Sequence, residues 1–392
     1  MVLISFSNGY SQAYKKLHSK AVLVDTHNDV LSSAVLDGKD ISHRIGEGHS
    51  DLDRFKAGGV DVQFFSVFTG PEPRNKEGVY KDANEEIDSL ESIVARNKDK
   101  MVLAKTYADT EMGISQGKLV ALVGVEGGHM IEGDLQKLEA LYKRGMRYMT
   151  LTWNNSTDWA SSAMDEASLN PSEGGTLKNS KKRKGLTDFG KQIVRRMNEL
   201  GIIVDLSHTG EQTFYDAIAI SSKPVLLSHS SVWNLCPVFR NVKDDQLKAL
   251  KRNGGVICIN FYSGFISKAF DERSEYFKNA AKNGLQDSLF KIYKDSATMK
   301  TRLQEYSKTE LEKIRPTIAD LVDHIDYVVK LIGDDHVGIG ADYDGVSSLP
   351  VGMDDVTSYP KITEELMRRG YSKKSIKKIL GKNVLRVMKE NF

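Results

Sequence analysis

The chain is organised around one stretch near the N-terminus, Ala21-Val22-Leu23-Val24-Asp25-Thr26-His27-Asn28-Asp29-Val30. Its first four residues form an apolar run that predicts a short buried strand. His27 and Asp29 are two positions apart, so their side chains project from one face if the extended conformation continues. An imidazole and a carboxylate placed in this way can ligate a divalent metal, or can make an ordinary surface hydrogen bond. A metal site would require further ligands from the rest of the chain.

The composition is that of a soluble globular protein. The 392 residues are 40% hydrophobic and 28% charged, with a net charge of +2. Because no dense stripe of Lys and Arg is interleaved with aromatic residues, we expect no nucleic acid partner. No apolar run is long enough for a transmembrane segment, and the N-terminus does not resemble a signal peptide. The compartment stays open between the cytoplasm and export (periplasmic) with the signal absent from this chain.

Apolar, strand-like runs alternate with helical patterns along the chain. The eight candidate strands are Ala21–Val24, Val60–Phe68, Val120–Val125, Tyr148–Thr152, Ile202–Leu206, Pro224–Leu227, Val256–Asn260 and His336–Gly340. Little polar alternation within them is typical of parallel strands covered on both sides. Eight strand–helix units predict an α/β fold, a (β/α)₈ TIM barrel formed by residues 1–392 as a single domain. A doubly wound sheet is the rival, but no Gly-x-Gly-x-x-Gly motif follows any strand.

Two stretches do not fit this alternation and are predicted insertions over the C-terminal face of the barrel. The first, at about 156–185, contains a loop rich in Gly, Ser and Lys. The second, at about 264–315, follows the seventh strand, is highly charged and has a helical pattern. We therefore expect the helical insertion to lie beside the active site, because βα loops surround the mouth of a barrel.

Polar residues follow the ends of five predicted strands, and they are His27 with Asp29, Glu126, His208, His229 and Asp342. In a barrel these strand ends meet at one mouth, where active sites are built. Each residue also has an ordinary interpretation: a histidine can cap the next helix, and Glu126 or Asp342 can be a turn carboxylate. Asp344 is a nearby alternative to Asp342. Together, however, they bring three of the nine histidines to one predicted site.

Three imidazoles with two carboxylates exceed the four ligands of one tetrahedral zinc and suit two metals that share a carboxylate. The predicted sets are His27, Asp29 and Glu126 for one metal, and His208, His229 and Glu126 for the other. Two cations lower the pKa of a shared water, so that hydroxide forms near neutral pH. Asp342, left unligated, can take the proton and return it to a leaving amine. The sequence thus predicts metal-assisted amide hydrolysis, with Asp25 orienting His27 as a hydrogen-bond acceptor.

These motifs resemble the membrane dipeptidase (renal dipeptidase) family of zinc peptidases, within the amidohydrolase-like barrels. The similar segments are Asp25–Asp29, Gly58–Val60, Gln63–Ser66, Gly124–Gly127, Gly185–Gly190, Asp205–His208, Ser228–Ser231, Arg240–Val242, Asn260–Tyr262, Gly338–Gly345 and Gly381–Asn383. The resemblance implies two zinc ions held by the five ligands named above, with Asp342 as the acid–base residue. It also implies dipeptide substrates, including some with a C-terminal D-residue, whose carboxylate Arg240 binds. A homodimer is usual for the family.

One departure from the family concerns the substrate. Mammalian members have histidine in a Leu-Thr-His motif, where this chain has Leu151-Thr152-Trp153 followed by two asparagines. An indole N–H can donate a hydrogen bond but can neither carry a proton nor ligate a metal. We expect Trp153 and Asn155 to contact the substrate and to alter the range of substrates. Val62 is a second, minor departure, because many members of the family have a small residue before the glutamine that Gln63 matches.

Two alternative functions remain on the sequence alone. One is another barrel amidohydrolase that acts on N-acyl amino acids, lactones or cyclic amides. Many of those enzymes bridge their metals with a carboxylated lysine, whereas the bridging position here holds Glu126. The other is a binding protein that has kept the site without catalysis, for which Trp153 is the only indication.

Overall fold

A closed barrel of parallel strands forms the centre of the molecule in the computed structural model, which describes residues 12–168 and 185–392. The strands are β1 (Val24–Asn28), β2 (Val62–Val67), β3 (Met101–Leu103), β4 (Leu119–Glu126), β5 (Met146–Thr150), β6 (Ile203–Asp205), β7 (Leu226–Ser230), β8 (Val256–Ile259) and β9 (Val337–Ile339). Their order is β2-β1-β9-β8-β7-β6-β5-β4-β3, and a further pairing of β2 with β4 closes the barrel. The predicted (β/α)₈ barrel is confirmed, and an open doubly wound sheet is excluded.

All eight predicted strands are present, with shifted bounds, and the prediction missed β3. This strand has only three residues and pairs with the first residues of β4, Leu119 to Ala121, outside the eight-strand ring. The bounds of β1 differ most, because the strand runs through His27 to Asn28 where only an apolar run up to Val24 was predicted. Polar residues can continue this strand because they are buried against other polar groups at the barrel mouth.

Helices surround the barrel, and those between 52 and 253 are Leu52–Gly58, Val79–Arg96, Tyr107–Ser115, Leu135–Arg144, Ala163–Ser168, Asp188–Leu200, Glu211–Ile220 and Asp244–Asn253. The helices at the C-terminal end are Ile318–Ile332, Pro360–Arg368, Lys373–Lys377 and Asn383–Asn391. Asp188–Leu200 shows how the local sequence sets such a helix: Thr187 accepts a hydrogen bond from the Gly190 amide, and Gly201 ends the helix at φ 84°. Among the described residues, none of these helices combines the length and apolarity that crossing a membrane requires.

The insertion after β8 is helical, as predicted. Its helices are Ser263–Ile266, Lys268–Lys278, Leu285–Tyr293 and Ser296–Glu312. The second and fourth of them are joined by an edge-on contact of Phe277 with Tyr306, at 5.6 Å between ring centroids, and by an Arg273–Glu310 ion pair at 3.6 Å. Of the earlier predicted insertion, the lysine-rich part at 169–184 lies outside the described residues.

Candidate metal centre

The structure brings the polar residues of five strand ends together at the barrel mouth. Glu126, the last residue of β4, is the centre of this cluster. Its Oε1 lies 2.9 Å from His208 Nε2 and 3.3 Å from His229 Nε2, and its Oε2 lies 3.5 Å from His27 Nε2. Asp29 Oδ2 lies 3.3 Å from the same His27 nitrogen. All five predicted metal ligands therefore face one another, and Glu126 offers a different oxygen to each side.

Two of the polar residues at the barrel mouth have an unusual backbone conformation. His208 has φ 64° and Asp342 has φ 63°, both in the left-handed region that non-glycine residues rarely adopt. Gly345 lies beneath the carboxylates, and a Cβ there would meet Asp29 Oδ2 at 2.2 Å and Asp342 Oδ1 at 2.4 Å. Only a glycine at 345 therefore leaves room for the carboxylates of Asp29 and Asp342 in these positions.

The protonation of two imidazoles follows from the partners of their Nδ1 atoms. His208 Nδ1 donates to Asn154 Oδ1 at 2.9 Å, because an amide oxygen can only accept. His229 Nδ1 lies 2.8 Å from Ser228 Oγ, whose own proton goes to Asp205 Oδ2 at 2.7 Å. Ser228 Oγ must therefore accept from His229. Both rings are left with an unprotonated Nε2.

These two nitrogens, His208 Nε2 and His229 Nε2, face each other at 2.9 Å beside a carboxylate oxygen of Glu126. Two lone pairs and a carboxylate at this distance repel one another unless a cation lies among them. His27 Nε2 and Asp29 Oδ1 are buried and have no hydrogen-bond partner within the described residues. Imidazole nitrogens and carboxylate oxygens are the donors that zinc and similar divalent ions accept, so the cluster fits a metal.

The pKa values of these buried groups reflect how closely the groups lie together. Burial alone would lower the pKa of His27, but the Tyr148 hydroxyl and the surrounding carboxylates hold it well above its usual value. Burial and the charge of Arg240 lower the pKa of His208 to about 3. Burial alone would raise the pKa of Glu126, yet the imidazoles hold it well below its usual value. The imidazoles and carboxylates of the cluster therefore strongly influence one another's charge.

Asp25 does not orient the His27 imidazole, contrary to the prediction. The His27 Nδ1 lies 2.8 Å from the Tyr148 hydroxyl, and Asp25 Oδ1 instead accepts from the backbone amides of His27 and Ala341. The other oxygen of Asp25 accepts from the Tyr359 hydroxyl. Asp25 therefore fixes the backbone of β1 against the residue that precedes Asp342, and Tyr148 from β5 supports the imidazole.

Asp342 lies at the edge of the ligand cluster. Its Oδ1 is 3.9 Å from His27 Nε2, and its Oδ2 accepts from Asn260 Nδ2 at 2.7 Å. Burial raises the pKa of Asp342 well above its usual value. His27, Asp29 and Asp342 each place one potential ligand atom within 4.8 Å of the others, so the geometry alone allows Asp342 to touch a metal.

A cavity of about 1010 Å³ opens over this cluster and is lined by Trp153 and Arg240, two predicted substrate-binding residues. The Trp153 ring lies 5.1 Å from Phe68 and 6.2 Å from the His208 ring, which makes an aromatic wall beside the ligands. Asn155, the third predicted residue, is not part of the lining. Its neighbour Asn154 lines the cavity and contacts His208, and a substrate role for Asn155 stays a prediction.

Arg240 is 5% exposed and lines the same cavity. Its Nη2 donates to the His229 carbonyl at 3.3 Å, while its Nε has no hydrogen-bond partner in the described part of the chain. The guanidinium lies 5.3 Å from the Phe265 ring centroid. Burial lowers the pKa of Arg240 to about 10, so it remains a cation near neutral pH. A buried cation with an unpaired N–H suits an anionic ligand.

Three residues that support the site, Tyr148, Asn154 and Asn260, were not predicted to do so. Asn260 closes the seventh predicted strand, so the strand-end rule that found the ligands could have found it. Asn154 lies two residues beyond the fourth predicted strand and carried no signal of its own. Tyr148 was placed within a strand, where tyrosine is common, and nothing in the sequence distinguishes it.

Comparisons with known proteins agree with this geometry. Residues 11–391 match the sequence model of the membrane dipeptidase family, peptidase family M19. An uncharacterized dipeptidase of Schizosaccharomyces pombe is 31% identical over 399 residues, which cover 97% of this chain and 82% of the relative.

Solved structures share the fold. The probable dipeptidase PvdM from Pseudomonas aeruginosa superposes with a TM-score of 0.79 at 24% identity, covering 98% of both chains. A metallopeptidase from Rhodobacter sphaeroides, liganded with a phosphinate mimic of the dipeptide L-Ala-D-Ala, gives a TM-score of 0.73 at 21% identity, covering 95% of this chain and 99% of its own. The chain belongs to the membrane dipeptidase family and is a dipeptidase of these M19 metallopeptidases.

Proposed function

We propose that this dipeptidase holds two zinc ions and hydrolyses the peptide bond of dipeptides, including those with a C-terminal D-residue. The observation that carries the proposal is that the two carboxylate oxygens of Glu126 face different imidazoles. Oε1 faces His208 and His229, while Oε2 faces His27. A carboxylate that presents one oxygen to each of two imidazole groups is suited to bridge two cations. Asp29 completes the His27 side.

The metals would supply an activated water and polarise the scissile carbonyl. The protein's part in the reaction falls to Asp342, which takes the proton of the attacking water and delivers it to the leaving amine. Asn260 holds Oδ2 of Asp342 through an amide hydrogen bond, so Oδ1 is the oxygen turned toward the reacting groups. Asn260 therefore positions the proton carrier without reacting itself.

Arg240 binds the free carboxylate of the dipeptide. Its unpaired Nε and its position on the cavity wall suit a planar, bidentate contact with a carboxylate. Binding this group selects dipeptides over longer peptides, whose next residue would replace the carboxylate by an amide. The L-Ala-D-Ala mimic bound to the Rhodobacter sphaeroides relative supports dipeptides with a C-terminal D-residue as substrates.

Metal analysis combined with dipeptide hydrolysis tests the proposal. We expect close to two zinc ions per chain and release of alanine from L-Ala-L-Ala and L-Ala-D-Ala. Asp342→Asn should keep both metals and lose most of the turnover. Loss of one metal from this variant would show that Asp342 is a ligand. One metal or none, with no turnover after zinc is added, would refute the proposal.

Arg240→Ala provides a second readout of the same proposal. It should raise KM for L-Ala-L-Ala far more than for L-Ala amide, because the amide has no carboxylate that Arg240 could bind. An equal effect on both substrates would assign Arg240 a structural role.

A further inference from the structure

The helix Lys268–Lys278 of the insertion closes one side of the substrate cavity. Its buried face is formed by Phe270, Ser274 and Phe277. The adjacent stripe, one residue further along, lines the cavity and consists of Asp271, Glu275 and Lys278. Residues at this spacing share one face of a helix, so the three charged side chains form a row over the cavity.

The three charges are not equivalent. Lys278 Nζ and Glu275 Oε1 form an ion pair at 2.7 Å whose side chains are 59% and 51% exposed, so these two charges largely cancel in a solvated setting. Asp271 is half-buried, and its carboxylate has neither a hydrogen-bond nor an ion-pair partner among the described residues. Burial and the repulsion from Glu275 raise its pKa. Lys278 offsets part of this negative charge, but in the described part of the chain no side chain binds the Asp271 carboxylate directly.

A row of aromatic rings connects Arg240 with the helix that carries Asp271. The Arg240 guanidinium lies 5.3 Å from Phe265, and Phe265 lies 4.9 Å from Tyr262. Tyr262 in turn lies 6.4 Å from Phe270, the residue before Asp271. Arg240 is the independent sign of a ligand here, because it is buried with an unpartnered Nε at the wall of the same cavity.

We propose that Asp271 makes the enzyme prefer dipeptides whose C-terminal residue has a basic side chain. This inference rests on the proposed function, in which Arg240 holds the carboxylate of that same residue. The side chain leaves from the carbon that bears the carboxylate, so it begins at the Arg240 end of the cavity. A lysine stem or an arginine crosses the Tyr262 and Phe265 rings, whose faces suit alkyl groups and cations. The terminal charge then meets Asp271.

The test compares kcat/KM for L-Ala-L-Lys with that for L-Ala-L-norleucine, which has nearly the same shape without the charge. We expect the wild type to prefer the lysine peptide roughly tenfold, the effect of one charge-assisted hydrogen bond. Asp271→Asn should bring this ratio close to one. With the order reversed, L-Lys-L-Ala and L-norleucine-L-Ala should not show the Asp271-dependent difference, because the first residue does not lie at this end.

Glu272→Gln is the matched control, since it removes the same charge from the next residue of the helix, where Glu272 is exposed and pairs with Lys268 at 3.5 Å. It should keep the wild-type ratio. Equal efficiency of the wild type on both peptides, or a ratio that Asp271→Asn leaves unchanged, would overturn the proposed subsite alone if L-Ala-L-Ala is still hydrolysed. Absence of turnover on L-Ala-L-Ala would overturn the proposed function and this inference with it.

Discussion

Two groups of buried histidines differ in how the chain satisfies them. His18 and His324, in the outer layer, have both ring nitrogens occupied. His18 contacts Thr363 Oγ1 and the Gly58 carbonyl, at 2.8 and 2.9 Å. His324 Nδ1 accepts from the Val232 amide at 3.0 Å, and its Nε2 donates to the Ile266 carbonyl at 3.1 Å. These rings hold loops and helices together, and their hydrogen-bonding capacity is used up within the chain.

The histidines at the barrel mouth are buried to a similar extent but are only half satisfied. In His27, His208 and His229 the Nδ1 has a partner from the chain, while every Nε2 points at other potential ligands. Burial therefore does not separate a ligand from a structural histidine. The Nε2 atom separates the two groups, because a buried polar atom without a hydrogen-bond partner is costly unless something outside the chain satisfies it.

The largest expected effect comes from removing one of the half-satisfied rings. His229→Asn should lower kcat/KM by more than about a hundredfold, since loss of a mere supporting partner already costs 10- to 100-fold. It should also lower the metal content, measured on the purified protein. His324→Leu is the contrast and should keep the metal content and the kcat of the folded enzyme. Equal metal loss in both variants would break the distinction between the two groups.

A smaller effect is expected from the partners that orient the ligand rings. Asn154→Ala removes the acceptor of His208 Nδ1 and should lower metal affinity or kcat/KM by about 10- to 100-fold. Asn155→Ala, the adjacent change, should have a much smaller effect because Asn155 does not contact a ligand ring. Titration with zinc after removal of the metal measures the affinity. A larger effect at Asn155 would support its predicted role in the site.

The smallest expected effect concerns the stability of the protein and tests His324, whose two ring nitrogens both have partners. Burial lowers the pKa of His324 from 6.5 to about 4, so the folded protein keeps the ring neutral while the unfolded chain takes up a proton. The free energy of unfolding should therefore fall as the pH drops from 6.5 toward 4, by about 2 kcal/mol at pH 5 from this residue.

Denaturant unfolding between pH 5 and pH 7 measures this contribution. His324→Leu should be less stable than the wild type at pH 7, because the Val232 amide and the Ile266 carbonyl lose their partner, and should show a shallower dependence on pH. An unchanged pH dependence in the variant would mean that His324 is not kept neutral by the fold.

The sequence indicated the barrel and most of the ligand set because both depend on local, repeated patterns. Eight apolar runs separated by helical patterns predict parallel strands, and polar residues at their ends predict a site at the mouth. The strand-end rule needs no distances, since a closed parallel barrel brings all strand ends together. It could not find β3, whose three residues are too few for a pattern, or Tyr148, which looks like any strand tyrosine.

What the sequence by itself determined is the fold class and the residue types that converge: His27, Asp29, Glu126, His208 and His229, with Asp342 beside them. Only the tertiary structure decided which atoms face which. It showed Tyr148 rather than Asp25 at the His27 ring, and Asn154 rather than Asn155 at the cavity wall. The physical reason is that hydrogen-bond partners and cavity walls are set by packing between distant segments, where a shift of one residue turns a side chain to another face.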